Sequence, residues 1–435
     1  MLAPPSDCDE LWRAHDSRGA SCRLAFPMSH SSQMGRRRLL QTLAAAGGIS
    51  LGGCVAPLLS DGNAKRLGPN DRARFLAPLR ASTDRIFDIT VCLRPFRAAG
   101  PRLDTERIRD TLVVHNYGHG GSGWSLSWGS STIAVNKALA AGNARAQAPD
   151  RIAVVGCGVL GLTSALLAQA AGKAVTIYAR EVIQQTFSAR ASGSFTPDSR
   201  IALADAVSPE FPALWEEMAR TSLKTFQGHL GLSGDPVRWI DRYRVTDAPA
   251  PAARAPVAGE LQFAAYRSRL QDLFPHGEEL RPADTPFHAA GVRRSSVLMF
   301  NIASYSQMLM MQFRLAGGRI EQRVFHDPQE LADLPEKIVI NCTGYGARAL
   351  WRDESIVPVR GQLAHLIPQS EFDYALDFRD VNVIPRSDGI VVQAVAGGDM
   401  RGYNDESLLP DRRESDAAVQ TLATLYGRLR RTRHI

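Results

Sequence analysis

The feature that most constrains the fold is Gly156-Cys157-Gly158-Val159-Leu160-Gly161. It follows the apolar run 151–155 and opens the helical pattern of 160–171. A strand that turns on glycines into a helix is a phosphate cradle, and the flanking elements give the short motif its weight. Gly156 permits the turn, Gly158 lets a pyrophosphate approach the backbone, and Gly161 lets helix and strand pack closely. Val159 and Leu160 begin a helix whose free N–H groups face the phosphates. The pattern predicts a next strand over 173–179 and, at its end, an acid that holds a ribose. Glu181 stands there, with Arg180 one place before it, so the register of that contact stays open.

Composition sets the surroundings. At about 100–200 residues per domain, 435 residues predict two or three domains. Hydrophobic residues at 44% and charged residues at 22% supply a packed core and exclude wholesale disorder. No uncharged apolar run reaches about 18 residues, which excludes a polytopic membrane protein. The net charge of +7 sits at the ends: residues 1–54 hold six arginines and four acids, and residues 428–435 four arginines and no acid. The middle is near neutral, so the charge does not describe a nucleic-acid-binding face. No His/Cys/carboxylate cluster has metal-ligand spacing.

Met34-Gly35-Arg36-Arg37-Arg38-Leu39-Leu40 opens a weakly apolar stretch that ends in Leu51-Gly52-Gly53-Cys54. A basic start, an apolar centre and small residues at the end describe an export signal. The Arg-Arg-x-Leu-Leu pattern resembles a twin-arginine signal, and Leu-Gly-Gly-Cys a lipobox whose Cys54 takes lipid. The expected location is the periplasm, with a membrane contact through that lipid alone. Met28 and Met34 are both candidate starts. Of six cysteines, only Cys92, Cys157 and Cys342 lie beyond this leader, each in an apolar or Gly-rich segment. Three buried thiols are no disulfide framework.

Further strands are expected over 86–93, ended by Arg94-Pro95, and over 111–115, 337–341, 382–385 and 390–395, the last two as an antiparallel pair. Helices are expected from the Gly-rich 117–123 to about Leu139, with Gly142 as C-cap, and over 305–315. Residues 143–150 read as a linker and 248–256 as a surface loop.

Three further segments carry a family resemblance. His115-Asn116-Tyr117-Gly118-His119-Gly120-Gly121-Ser122-Gly123 resembles the signature of the D-amino-acid oxidase family. Asn341-Cys342-Thr343-Gly344 with Arg360-Gly361-Gln362 is similar to a second pair of its segments, and Arg94-Pro95-Phe96-Arg97 to its Gly-x-Arg-Pro-x-Arg segment. The resemblance runs from about residue 85 to the end. It implies an α/β fold: an FAD-binding Rossmann-type domain with a parallel sheet, and a mixed, largely antiparallel substrate-binding domain. The order of segments differs from the family's, where the dinucleotide motif comes first and the Arg-Pro and Gly-rich segments last. A circular permutation through the linker 143–150 accounts for this. The implied division is leader 1–54, tether 55–84, permuted substrate-domain strand 85–104, FAD domain 105–200 and 298–365, and substrate domain 201–297 and 366–435.

The resemblance also assigns roles. Arg94 matches the arginine that holds the substrate carboxylate, Tyr305 a tyrosine on the same carboxylate, and Gly121 the glycine whose carbonyl meets the substrate amine. Gly120, Gly123, Trp124 and Ser125 fall against the flavin ring, and Val324, Thr343 and Gly344 join the Gly156–Gly161 loop and Glu181 on the cofactor. Hydride passes from the substrate Cα to flavin N5 and no protein base is required, so His115 and His119 are read as supporting groups. Acid-specific members carry an arginine six residues before the tyrosine; Met299 stands there, so neutral side chains are expected.

The implied activity is FAD-dependent oxidation of a D-amino acid to an imino acid, then a 2-oxo acid and ammonia, with oxygen or a quinone as acceptor. Glycine, sarcosine or a related amine or hydroxy acid is the neighbouring reading, and a non-catalytic flavin-binding lipoprotein the rival from another class. A homodimer is left open.

Overall fold

The computed structural model describes residues 76–143, 150–247 and 261–432. The leader with Cys54, most of the 55–84 tether, the linker core 144–149 and the loop 248–256 lie outside the described residues.

In chain order the first half holds strands β1 (Ile86–Arg97), β2 (Thr105–Ile108) and β3 (Thr111–His115), helix α1 (Ser127–Asn143), β4 (Arg151–Val155), α2 (Val159–Ala170), β5 (Ala174–Ala179) and α3 (Phe211–Gln227). It continues with β6 (Val237–Thr246), β7 (Glu278–Leu280), β8 (Gly291–Phe300), α4 (Ile302–Leu315), β9 (Arg319–Gln322) and β10 (Ile338–Asn341). The last part is α5 (Ala347–Leu350), β11 (Ile356–Leu366), β12 (Ala375–Phe378), β13 (Val381–Arg386), β14 (Gly389–Ala394) and α6 (Arg412–Thr432).

Six strands form one sheet in the order β2-β3-β10-β4-β5-β9, parallel except for the β2–β3 hairpin. Its inner strands β3, β10, β4 and β5 are apolar on both faces, as a parallel sheet between two covering layers demands, whereas the outer β2 and β9 are largely exposed. Leu112, Val114, Ile152, Val154, Val175 and Ile177 pack toward α1, α2 and α4. The alternate residues Val113, Ala153, Val155 and Val339 pack toward Leu331, Leu334 and Leu350.

The second sheet has eight strands in the order β1-β11-β14-β13-β12-β6-β8-β7. It is antiparallel apart from the β12–β6 pair. Tyr243, Val245, Leu376, Val383 and Val392 share one core with Val419, Leu422 and Leu425 of α6. Ile240, Met299, Leu363, Ile384 and Val391 fill the opposite face.

Residues 76–115, the first described, contribute strands to both sheets. β1 edges the eight-stranded sheet, pairing along its length with β11, and β3 lies inside the six-stranded sheet beside β10. β14 is therefore one strand removed from β1, with β11 between them.

Three expectations need correction. β1 does not stop at Arg94-Pro95 but continues to Arg97. An edge strand tolerates proline, and Pro95 faces another proline, Pro358, which also lacks an N–H. Gly142 is no C-cap, since α1 runs through it to Asn143. The boundary at 365 falls inside β11, a strand of the eight-stranded sheet.

Candidate functional site

A cavity of about 1160 Å³ opens where the two sheets meet. Its floor is the predicted loop: Gly156, Cys157, Gly158, Val159 and Leu160 all line it. Gly156 has φ +104°, and a Cβ there would lie 2.4 Å from the Cys342 carbonyl oxygen. Only glycine meets both conditions. Gly161 stays out of the cavity and does the packing expected of it, because a Cβ there would strike the Gly156 carbonyl. The Gly158 N-cap offers no side chain, and one N–H of the first turn, that of Val159, is held by the Ser188 hydroxyl at 3.1 Å. A helix end so little capped suits an anionic phosphate group.

Glu181 and Arg180 both line the cavity just past β5 and pair with each other at 3.2 Å. Val324, Thr343 and Gly344 form another wall. These residues, the glycine cradle above all, fit FAD: loop and helix end for the pyrophosphate, Glu181 for a ribose, and a long apolar slot for the ring.

The Gly-rich segment meets β1 at the other end. The Gly120 N–H donates to the Pro95 carbonyl at 2.9 Å, and Gly121 N–H to that of Ser199 at 3.0 Å. Gly120, Gly121, Gly123 and Trp124 line the cavity, with the Trp124 indole donating to the Ser188 carbonyl at 2.8 Å. Arg94 lines it too. One guanidinium N–H donates to the Arg360 carbonyl at 3.2 Å, and no carboxylate among the described residues lies within ion-pair distance of it.

Two predicted residues are not brought to the site. Tyr305 is fully buried on α4; its hydroxyl meets the Trp128 indole N–H at 2.8 Å and His229 Nδ1 at 2.9 Å. Aromatic neighbours Trp124, Phe226 and Phe300 close around it, so it cannot reach a substrate there. The Ser125 hydroxyl, 1% exposed with its residue, accepts from the Thr196 N–H at 2.8 Å and positions that loop instead of touching a ligand. Met299 is also buried, in the core of the eight-stranded sheet, and lines neither cavity described here, so it says nothing about the substrate side chain.

The histidines separate. His115 is sealed between Asn341, at 3.0 Å, and Glu106, at 3.3 Å. His119 reaches the cavity wall. Its Nε2 lies 2.6 Å from the Ser130 hydroxyl, which donates to Asn116 Oδ1 at 2.5 Å. The Ser130 proton is thus committed, so Nε2 carries the hydrogen and Nδ1, which is buried without a partner, carries the lone pair. Burial lowers the His119 pKa to about 3. The ring is neutral at ordinary pH and a weak base.

A second cavity of about 660 Å³ adjoins the first, and Arg94, Gly121, Ser192, Ser194 and Thr196 line both. Seven arginines and only three carboxylates line the second cavity. Arg94 and Arg360 fall in segments read from the sequence; Arg200, Arg242, Arg244, Arg379 and Arg401 are the members sequence reasoning missed. Their signal was weak: Arg200 follows a turn, and Arg242 sits among alternating polar residues of a strand with no motif around it.

Comparison with known proteins places residues 151–435 in the family model described as DAO, FAD dependent oxidoreductase. A D-amino-acid oxidase of Rubrobacter xylanophilus is 28% identical over 299 residues, covering 66% of this chain and 81% of that one. One from Streptomyces coelicolor is 30% identical over 218 residues, 49% of this chain and 58% of its own. Among solved structures, an L-amino acid deaminase from Proteus vulgaris matches with a TM-score of 0.44 at 12% identity, over 64% of this chain and 79% of that one.

Proposed function

The chain belongs to the DAO family of FAD-dependent oxidoreductases, and from that premise we propose that it oxidises a D-amino acid at its Cα–N bond. The observation that carries the proposal is Arg94: a guanidinium without a carboxylate partner among the described residues, on the wall shared by the two cavities. A planar guanidinium binds a carboxylate through two parallel bonds and so fixes orientation as well as affinity. The names of the curated relatives above support the same chemistry.

FAD, when bound, would supply the two-electron acceptor for the substrate hydride. The protein's part is positioning. Arg94 takes the α-carboxylate, the Gly121 carbonyl accepts from the amine, and the small-residue loop Ser192-Gly193-Ser194 leaves room for the side chain in the second cavity. The Cα–H bond breaks with its electron pair, and the amine gives a proton to solvent. Water adds to the resulting imino acid, which releases ammonia as a 2-oxo acid. Oxygen, reduced to hydrogen peroxide, or a quinone, reduced to the quinol, takes the two electrons. His119, neutral and hydrogen-bonded to Ser130, helps hold the wall and removes no proton.

The chain order is part of the proposal. The family match begins at residue 151, yet β1, β3 and the Gly120–Gly123 segment build both sheets and the cavity. A circular permutation of the family fold accounts for both facts. Export to the periplasm with lipid on Cys54 completes the reading.

The test is anaerobic titration of the purified holoenzyme with a panel of D- and L-amino acids. Bleaching of the flavin by D-amino acids alone supports the proposal; bleaching by the L series, or by none, overturns it.

A further inference from the structure

The charges around the second cavity do not cancel, and the arginines left over are two. Five of its seven arginines are matched. Arg200 pairs with Asp399 at 3.3 Å, Arg244 with Asp377 at 3.7 Å and Arg379 with Asp247 at 2.9 Å. Arg401 pairs with Glu414 at 2.9 Å, and Arg360 lies 3.8 Å from Glu414 and 3.9 Å from Asp405. Arg94 and Arg242 have no carboxylate within ion-pair distance among the described residues.

Arg242 is the less expected of the two. It lies on β6, on the face of Ile240, opposite the face that Tyr243 and Val245 turn to α6. Its guanidinium donates to the Ser194 hydroxyl at 3.0 Å, and its Nε is buried with no partner. A half-buried guanidinium without an anion is costly, and the unmade hydrogen bond of its buried Nε adds to that cost. Burial accordingly depresses its pKa, opposed by Asp377 and reinforced by the Arg267 and Arg244 charges. An anion entering the cavity would supply the missing counter-charge. Ser194, its one hydrogen-bond partner, also lines the larger cavity, where Arg94 stands.

We propose that Arg242 is a specificity-determining residue that binds a second carboxylate, so that the substrate is a dicarboxylic amino acid of the aspartate or glutamate type. This deepens the reading above and rests on it: Arg94 takes the α-carboxylate, and Arg242 the carboxylate of the side chain. It replaces the expectation of a neutral side chain, which stood on Met299 alone. Each of the cavity's other arginines has a protein carboxylate within 4 Å, so Arg94 and Arg242 are the two members among the described residues that lack one.

The experiment uses the holoenzyme and two readouts. The first is binding: unreactive succinate and butyrate are titrated separately, followed by the change in the flavin absorption spectrum. Succinate is expected to bind at least about tenfold more tightly, and Arg242→Gln to erase that margin while butyrate binding stays within about twofold. The second is turnover: in Arg242→Gln the KM for D-aspartate or D-glutamate rises about a hundredfold, whereas that for D-alanine is unchanged. Equal binding of the two acids by the wild type overturns the inference, as does an equal loss for acidic and neutral substrates in the variant. Preference for succinate without turnover of any amino acid leaves the two-anion cavity standing and removes the oxidase reading instead.

Discussion

The Arg94 guanidinium lies against Gly361 so closely that a Cβ on that glycine would come within 2.3 Å of Nη2. β1 and β11 run side by side here, with Leu93 opposite Arg360 and Cys92 opposite Gly361. The missing side chain is what lets the arginine fold along its neighbouring strand and reach the cavity. Arg94→Leu is expected to raise KM with FAD retained, at about 2–4 kcal/mol of transition-state binding. Gly361→Ala should give a smaller loss of the same kind, because it displaces the guanidinium without removing it. Steady-state kinetics of both variants, with flavin content measured, decide this; unchanged KM in Arg94→Leu takes the residue out of the site.

Tyr305 leads to an opposite expectation. Its hydroxyl satisfies both the Trp128 indole and His229, behind the cavity-lining Trp124 ring. Tyr305→Phe should leave KM within about twofold and cost about 1–3 kcal/mol of stability, the penalty for buried groups left unpaired. A rise in KM without loss of stability would return Tyr305 to the substrate.

Much of this site was legible in the sequence because its parts are backbone features. A turn that only glycine can make, as at Gly156, leaves a local trace in one stretch of chain, and so does the run of glycines from 118 to 123. Arg94 was legible through the segment it shares with a family. Tyr305 was misread because a tyrosine opening a helix looks the same whether it faces a cavity or a core; here Phe300 from the preceding β8 and Phe226 from α3 decide, and Phe226 is remote in the sequence. Arg242 left no trace because what singles it out is a deficit: carboxylates that pair with Arg244 and Arg401 but not with it. A deficit of partners is a property of the assembled sheet.

Acid should weaken the fold before it touches the carboxylates. Burial holds His119 down to about 3; burial first, and the Arg102 charge second, hold His115 down to about 4. The unfolded chain binds protons at both as pH falls below about 6.5, and the folded chain does not. Stability from these groups is therefore complete above about pH 6.5 and falls as pH drops toward 4. At about 1.4 kcal/mol per unit, each costs about 2 kcal/mol by pH 5. Urea unfolding at pH 7, 6 and 5 measures it, and a flat profile over that interval would show that neither imidazole is buried and neutral.

The leader predicts its own chemistry. Cys54→Ser is expected to release the protein from membranes into the soluble periplasmic fraction, and Arg36→Lys with Arg37→Lys to hold it in the cytoplasm. Fractionation with labelled fatty acid reads both. Membrane association that survives Cys54→Ser rules out the lipid anchor.

The permutation can be undone, and the geometry says how. Leu76 and Leu429 pack against the same core, and the Tyr374 hydroxyl meets the Ala77 carbonyl at 2.9 Å and the Tyr426 hydroxyl at 3.0 Å. Arg412, at the start of α6, donates to the Thr83 carbonyl at 2.8 Å. The two ends of the described chain therefore meet on one face of the eight-stranded sheet, and a short flexible linker can join them. A rewired chain that starts at Asp150, runs through Thr432, passes by such a linker to Leu76 and ends at Asn143 keeps every strand neighbour and breaks only the segment 144–149. It is expected to fold, to bind FAD and to keep the kcat/KM of the parent within about threefold, since no cavity residue changes place. Thermal unfolding and flavin content test the fold, and kinetics the site. If this rewired chain is insoluble while the parent is well behaved, the present order of segments is a requirement of the fold and the permutation reading fails.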